Sequence, residues 1–170
     1  MYARSFIDCL DFARNGHEIS GKVPVAVMPR LLDMLANPEG IIAYTARGGV
    51  DRQGVSYLDV TISGICRLRC QRCMGVLEHL VHIDTRLLLR DQASLDALDD
   101  IVPGGTEEEY DSILAEAQLD IPSLLEEEIL LSLPIAPKHE TGVCRAIDGK
   151  SGQGAVPNPF GALAKLKVAK

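Results

Sequence analysis

The 170-residue chain is 46% apolar, which excludes a fully disordered protein and leaves enough material for one buried core. Aromatic residues make up only 4% and Trp is absent, so an extended stacking platform for single-stranded nucleic acid has little to be built from. The net charge of −7 is unevenly spread: residues 1–90 hold 11 Lys+Arg against 9 Asp+Glu, residues 91–150 hold 3 against 15, and residues 151–170 hold 3 against none. Broad duplex binding needs a large basic excess, so any RNA contact is local or made through a protein partner. The acidic block suits either a solvated surface or a basic partner.

In chain order, Ser5 to Arg14 places Phe6, Ile7, Leu10 and Ala13 at helical spacing, and Asn15-Gly16 supplies a helix stop. Charged Arg4, Asp8, Asp11 and Arg14 break what a signal peptide would need as an apolar run. The longest mainly apolar run, Ile129 to Pro137, is far below the roughly 20 residues of a membrane span. A cytoplasmic protein with no membrane contact is the expectation. Lys22 to Met28 reads as a strand that Pro24 confines to an edge, and Pro29 to Leu35 as a short helix opened by proline.

Ile41 to Arg47 begins the clearest β pattern. After the turn-rich Asp51 to Gly54, Val55 to Ile65 alternates, with Leu58, Val60 and Ile62 on one face and Tyr57, Asp59, Thr61 and Ser63 on the other. Val76 to Arg90 resumes as extended chain beyond a cysteine-rich turn, completing a meander of at least three strands. Asp91 to Glu109 reads as an acidic loop, extending to about residue 118. From Asp120, a plausible N-cap, a helix follows with Pro122 in its first turn. Leu124, Leu125, Ile129 and Leu133 mark its buried side, Glu126 to Glu128 lie mostly toward solvent, and Pro134 stops it. The expected organisation is a single α+β domain over residues 1–140, a small antiparallel β-meander packed with a few short helices. A Gly-rich linker over 141–156 and a C-terminal motif with a basic tail over 157–170 follow.

Five cysteines in a reducing compartment point to metal or redox chemistry rather than to disulfides. Cys70-Gln71-Arg72-Cys73 sits where two strands turn, and such a turn aims two thiolates at one ion. A tetrahedral zinc needs two more donors, for which His139 and Cys144 are the best placed in the sequence. Such a site would be structural and closed. Two other readings stay open: a redox pair, which usually opens a helix instead, and plain reduced thiols. Cys66 is a further candidate ligand at the strand end. Cys9 reads as a small buried apolar residue, and His79 and His82 as strand residues. Arg67, Arg69 and Arg72 crowd the same turn and could grip phosphate or carboxylate, or merely be solvated. The chain has no phosphate loop, dinucleotide fingerprint, nucleophile elbow or HExxH, so nothing in it points to an enzyme.

Three segments, in order, resemble the large ribosomal RNA subunit accumulation protein family, YceD. They are Cys70-Gln71-Arg72-Cys73-Met74; the acidic helix from Asp120 through Leu124 and Glu127-Glu128-Ile129-Leu130-Leu131 to Leu133-Pro134 and His139; and Pro157-Asn158-Pro159-Phe160 with Leu163 and Leu166-Lys167. Met74 stands where the family usually has Leu, which keeps an apolar side chain there. The resemblance implies a non-enzymatic role in 23S ribosomal RNA accumulation and large-subunit synthesis, through 23S rRNA precursor or a basic ribosomal protein. Relatives differ in their cysteines, which implies that any zinc is structural. On this reading Pro157, Asn158, Pro159 and Phe160 form a recognition element, with Phe160 and Leu163 as anchors and Lys165, Lys167 and Lys170 near RNA. The alternative for Phe160 is a clasp packed back on its own domain. The competing functional class is a thiol-redox or metal-handling protein using Cys70 and Cys73.

Overall fold

Alternation of apolar and polar residues along two long strands sets the architecture of the computed structural model, which describes residues 5–99, 110–140 and 142–144. The elements are β1 (Phe6–Ile7), α1 (Cys9–Arg14), β2 (Glu18–Pro24), α2 (Pro29–Leu32), β3 (Ile41–Val50), β4 (Ser56–Arg69), β5 (Val76–Arg90), α3 (Gln92–Asp99), β6 (Asp111–Leu114), β7 (Leu119–Asp120) and α4 (Ile121–Ser132). Strands β2 to β5 form an antiparallel meander in sequence order, and β6 adds parallel to β5 to complete five strands. Helices and a mainly antiparallel sheet in one chain make the fold α+β, as the sequence indicates.

Leu58, Val60 and Ile62 of β4 are fully buried, while Thr61 and Ser63 face solvent. The same face continues through Cys66 and Leu68, so β4 extends four residues beyond the expected Ile65. Ile42, Tyr44 and Ala46 from β3 and Val81, Leu87 and Leu89 from β5 join them, covered by Phe12, Leu31, Ile121, Leu125 and Ile129 from α1, α2 and α4. Removing this much apolar side-chain surface from water is the main source of stability, at about 1.5–3 kcal/mol for each large side chain. Gly48 lets α1 lie directly on β3: a Cβ there would fall 2.6 Å from the Phe12 carbonyl oxygen.

Several boundaries differ from the sequence expectations. The first helix begins at Cys9, not Ser5, because Asp8 caps it by accepting the Asp11 N–H at 2.9 Å. The preceding residues pair instead with a distant segment, Phe6 opposite Asp120 and Ile7 opposite Leu119. Gly16, at φ +62°, ends the helix as expected. The strand expected over 22–28 is shifted to Glu18–Pro24, since its register on β3 starts at Glu18 opposite Arg47; it does lie at the sheet edge. The expected helix over 29–35 is shortened to Pro29–Leu32.

The acidic stretch is more structured than a loop. Asp91 accepts the Ser94 N–H at 2.8 Å where α3 begins, and β6 and β7 follow before Asp120. Asp120 occupies the N-cap position of α4 with extended backbone, but its side chain makes no cap bond to the helix backbone and accepts from the Ser123 hydroxyl at 2.6 Å. Glu126 is the main departure within this helix: it is 3% exposed rather than solvent-facing. Its carboxylate accepts the Leu31 N–H at 3.0 Å and Arg30 Nε at 3.1 Å, fastening α4 to α2. The remainder of the acidic loop, most of the expected linker, and the Pro157–Phe160 motif with Lys165 and Lys167 lie outside the described residues.

Candidate metal centre

The β4–β5 connection is a tight turn that leaves sulfur atoms pointing to one side. Cys70 N–H donates to the Gly75 carbonyl at 2.9 Å, and Met74 N–H returns to the Cys70 carbonyl at 2.9 Å. Met74 adopts φ +57°, an uncommon conformation for a residue with a Cβ, which closes the loop between the two cysteines and Gly75. After α4 the chain returns to this turn, where Gln71 N–H donates to the Pro137 carbonyl at 2.8 Å. That backbone bond delivers His139 and Cys144 to Cys70 and Cys73.

The four side chains expected from the sequence are therefore brought together, with one ligand atom from each lying within 4.8 Å of all the others. Cys70 Sγ is 3.7 Å from Cys144 Sγ, and His139 Nδ1 is 3.5 Å from both Cys73 Sγ and Cys144 Sγ. A tetrahedral ion with sulfur at about 2.3 Å and nitrogen at about 2.0 Å requires donor separations of roughly 3.5–3.8 Å. Those three edges meet this requirement. His139 Nε2 lies 2.9 Å from the Val76 carbonyl. Placing its proton there leaves Nδ1 as a lone-pair donor, the usual arrangement for a ligating imidazole. Arg72 Nε donates to Cys144 Sγ at 3.0 Å, and its Nη2 donates to the carbonyls of His139 and Glu140 at 3.1 and 3.2 Å.

Electrostatics point the same way. Loss of solvent would raise the Cys70 thiol, but backbone N–H groups of Arg72 and Cys73 outweigh it and hold the pKa down at about 5. Cys144 is also lowered: against desolvation, Arg72 and His139 favour its thiolate. Cys73 moves upward, since loss of solvent and the adjoining Cys144 and Cys70 sulfurs overcome the Gly75 N–H. Three sulfurs thus compete to carry negative charge in one small space. A divalent cation removes that conflict, and the Arg72 guanidinium balances the remaining charge of a three-thiolate set. The donor set fits a softer transition metal rather than calcium or magnesium.

Other sequence candidates have different places. Cys66 faces the core, where burial pushes its thiol up to about 11, and Cys9 is fully buried in α1. Neither belongs to the quartet, and Cys66 does not end its strand. His79 and His82 are residues of β5, as expected. The three arginines are each committed differently. Arg67 pairs with Glu39 at 2.6 Å and Glu78 at 3.8 Å, Arg69 donates to the Leu35 carbonyl at 3.2 Å, and Arg72 donates to Cys144 of the quartet.

Sequence reasoning missed a cleft of about 780 Å³ between β6 and α4. Asp111, Glu116, Asp120, Glu127 and Glu128 line it, with no lysine or arginine among the described lining residues, over an apolar floor that includes Ile113 and Leu124. Burial, then repulsion from Asp111 and Glu127, raises the Glu128 carboxyl above its ordinary range. Clustered glutamates were visible in the sequence, but the strand that forms the opposite wall was not.

No helix among the described residues is long and apolar enough to cross a membrane. No solved structure matches the chain. The family model for the large ribosomal RNA subunit accumulation protein YceD matches residues 58–167, from near the start of β4 through the cysteine turn, α4 and the Pro157–Phe160 segment. With more than half of its length and all four candidate ligands inside that match, this chain belongs to the YceD family of large ribosomal RNA subunit accumulation proteins.

Proposed function

We propose that this protein is a non-enzymatic cytoplasmic factor for 23S rRNA accumulation, which acts by binding a component of the nascent large ribosomal subunit. The family match over residues 58–167 carries this reading. Its partner is the 23S rRNA precursor or a basic ribosomal protein. The acidic cleft between β6 and α4 supports the protein partner: five carboxylates and an apolar floor suit a segment carrying lysine or arginine among apolar residues. The Pro157–Phe160 motif with Lys165 and Lys167 forms the second recognition element.

Zinc is the metal we assign to Cys70, Cys73, His139 and Cys144. Three sulfurs and one nitrogen are a common structural zinc set, and four protein donors leave no coordination position for a substrate. Zinc would supply a cross-link between the β4–β5 turn and the segment following α4. A redox role for Cys70 and Cys73 is not favoured, because each already has a second donor from the later segment at ligand-like separation.

Sedimentation of lysate on a sucrose gradient, with tagged protein and a depletion strain, tests the function. Co-migration with large-subunit precursors and selective loss of 23S over 16S RNA on depletion are expected. Protein confined to the top of the gradient, with both RNAs unchanged, would refute it.

A further inference from the structure

The sparse aromatic content argued against an extended nucleic-acid platform, yet the fold gathers two of the four tyrosines beside three arginines. They line a cleft of about 450 Å³ between the β3–β4 hairpin and the end of β5, formed chiefly by Arg52, Gln53, Tyr57, Arg86, Arg90 and Tyr110. That volume falls in the range of small-ligand sites, about 300–1,000 Å³.

The cleft has an ordered stacking layer. Tyr57 lies across Gly49 of β3, where a Cβ would come within 2.4 Å of its ring, so glycine is what admits the ring. The Arg86 guanidinium sits 4.0 Å from the Tyr57 ring centroid and 5.6 Å from that of Tyr110. Its Nε and Nη2 donate to the two carboxylate oxygens of Asp59 at 2.6 and 2.9 Å. This fork fixes the guanidinium plane and answers its charge. Asp51, the one acid among the described residues that line the cleft, is occupied in shaping the hairpin: one carboxylate oxygen accepts the N–H groups of Gln53 and Val55, each at 2.8 Å. Arg52 stands exposed at the hairpin tip, and Arg90 donates through Nε to Ser112 Oγ at 3.0 Å.

We infer that this cleft binds one unpaired nucleotide of an RNA strand, with its base against the Tyr57–Arg86 layer and its phosphate toward Arg52. A simple anion would leave the aromatic–guanidinium layer unused, and an apolar peptide would desolvate arginine without compensation. Bases have a planar face for the layer and a phosphate for Arg52, and single-stranded RNA is commonly held by such stacking. The inference deepens the proposed function and rests on its RNA branch. Leu88 lines this cleft and Leu87 the acidic one. Alternate residues of a strand point to opposite faces, so an RNA strand and a basic protein could be held on the two sides of β5.

The test uses the full chain, a fluorescein-labelled single-stranded RNA 12-mer of mixed sequence, and the double variant Arg52→Ala/Tyr110→Ala. Both side chains are exposed, so the variant should melt with the wild type. Anisotropy should show affinity falling about tenfold or more in the variant. Ultraviolet cross-links in the wild type should map to peptides containing Tyr57 or Tyr110. Unchanged affinity in the variant, or cross-links confined to other peptides, would overturn the assignment. Equal or tighter binding of AMP, UMP or a poly-glutamate peptide would also overturn it, in favour of a free nucleotide or an acidic chain. Loss of oligomer binding by the wild type alone rejects this site; rejection of the assembly role requires the gradient experiment to fail as well.

Discussion

Two polar clusters tie the C-terminal third of the described chain to earlier elements, and they were very differently visible in the sequence. At one, Cys70 and Cys73 meet His139 and Cys144; at the other, Glu126 meets Leu31 and Arg30. Both join residues far apart in the chain. The first uses side chains whose chemistry restricts their purpose, at a spacing that already suggests a common ion. The second uses one of three consecutive glutamates, chemically identical to its neighbours, selected only by helix phase and the position of α2. A restricted donor set reveals itself in one dimension, whereas a buried carboxylate acquires its role from what packs over it.

Mutations at the two clusters test this contrast directly. The largest expected effect is for Cys73→Ser/Cys144→Ser, which should reduce bound zinc from about one ion per chain to none by elemental analysis. Because the metal binds a folded site, denaturant stability should fall by on the order of 5 kcal/mol. Chelation of the wild type should move it toward the same midpoint; identical midpoints with and without metal would mean that the quartet does not staple the fold.

Glu126→Ala comes next. It leaves the Leu31 N–H without its acceptor and removes the ion pair to Arg30, at an expected cost of about 3 kcal/mol in chemical denaturation. Glu126→Gln retains one oxygen acceptor and should cost about 1 kcal/mol. Equal effects from the two substitutions would show that the charge, rather than the hydrogen bond, holds α2. Arg72→Ala should keep the fold while weakening zinc by about 10–100-fold in a competition titration, since the hydrogen bond to Cys144 and the charge balance are lost.

Asp111→Asn should have the smallest effect. Burial, and then Asp111 and Glu127, raise the Glu128 pKa from its ordinary 4.5, so the folded state holds this proton more tightly than the unfolded state does. Its contribution is full below the unfolded pKa and is lost as pH rises through the folded pKa. Removing the Asp111 charge should increase stability near neutral pH by no more than about 0.5 kcal/mol, given solvent screening, and flatten the pH profile above 4.5. A steeper profile in the variant would contradict this account.

The sequence determined the parts governed by local repetition and by donor chemistry. Alternation placed Leu58, Val60 and Ile62 on the buried face; the interval from Val76 to Arg90 read correctly as one strand; and the Cys70, Cys73, His139 and Cys144 quartet could be named before any geometry was known. Tertiary structure decided where helix α1 starts, because residues 6 and 7 gain strand partners at 119 and 120. It also decided that β6 joins parallel to β5, that Glu126 is buried, and that Tyr57, Arg86 and Tyr110 share one cleft. Each outcome depends on a neighbour many residues away. Periodicity records which side of an element is apolar, but not which distant element arrives to cover it, and the charged and aromatic groups took their roles from that arrival.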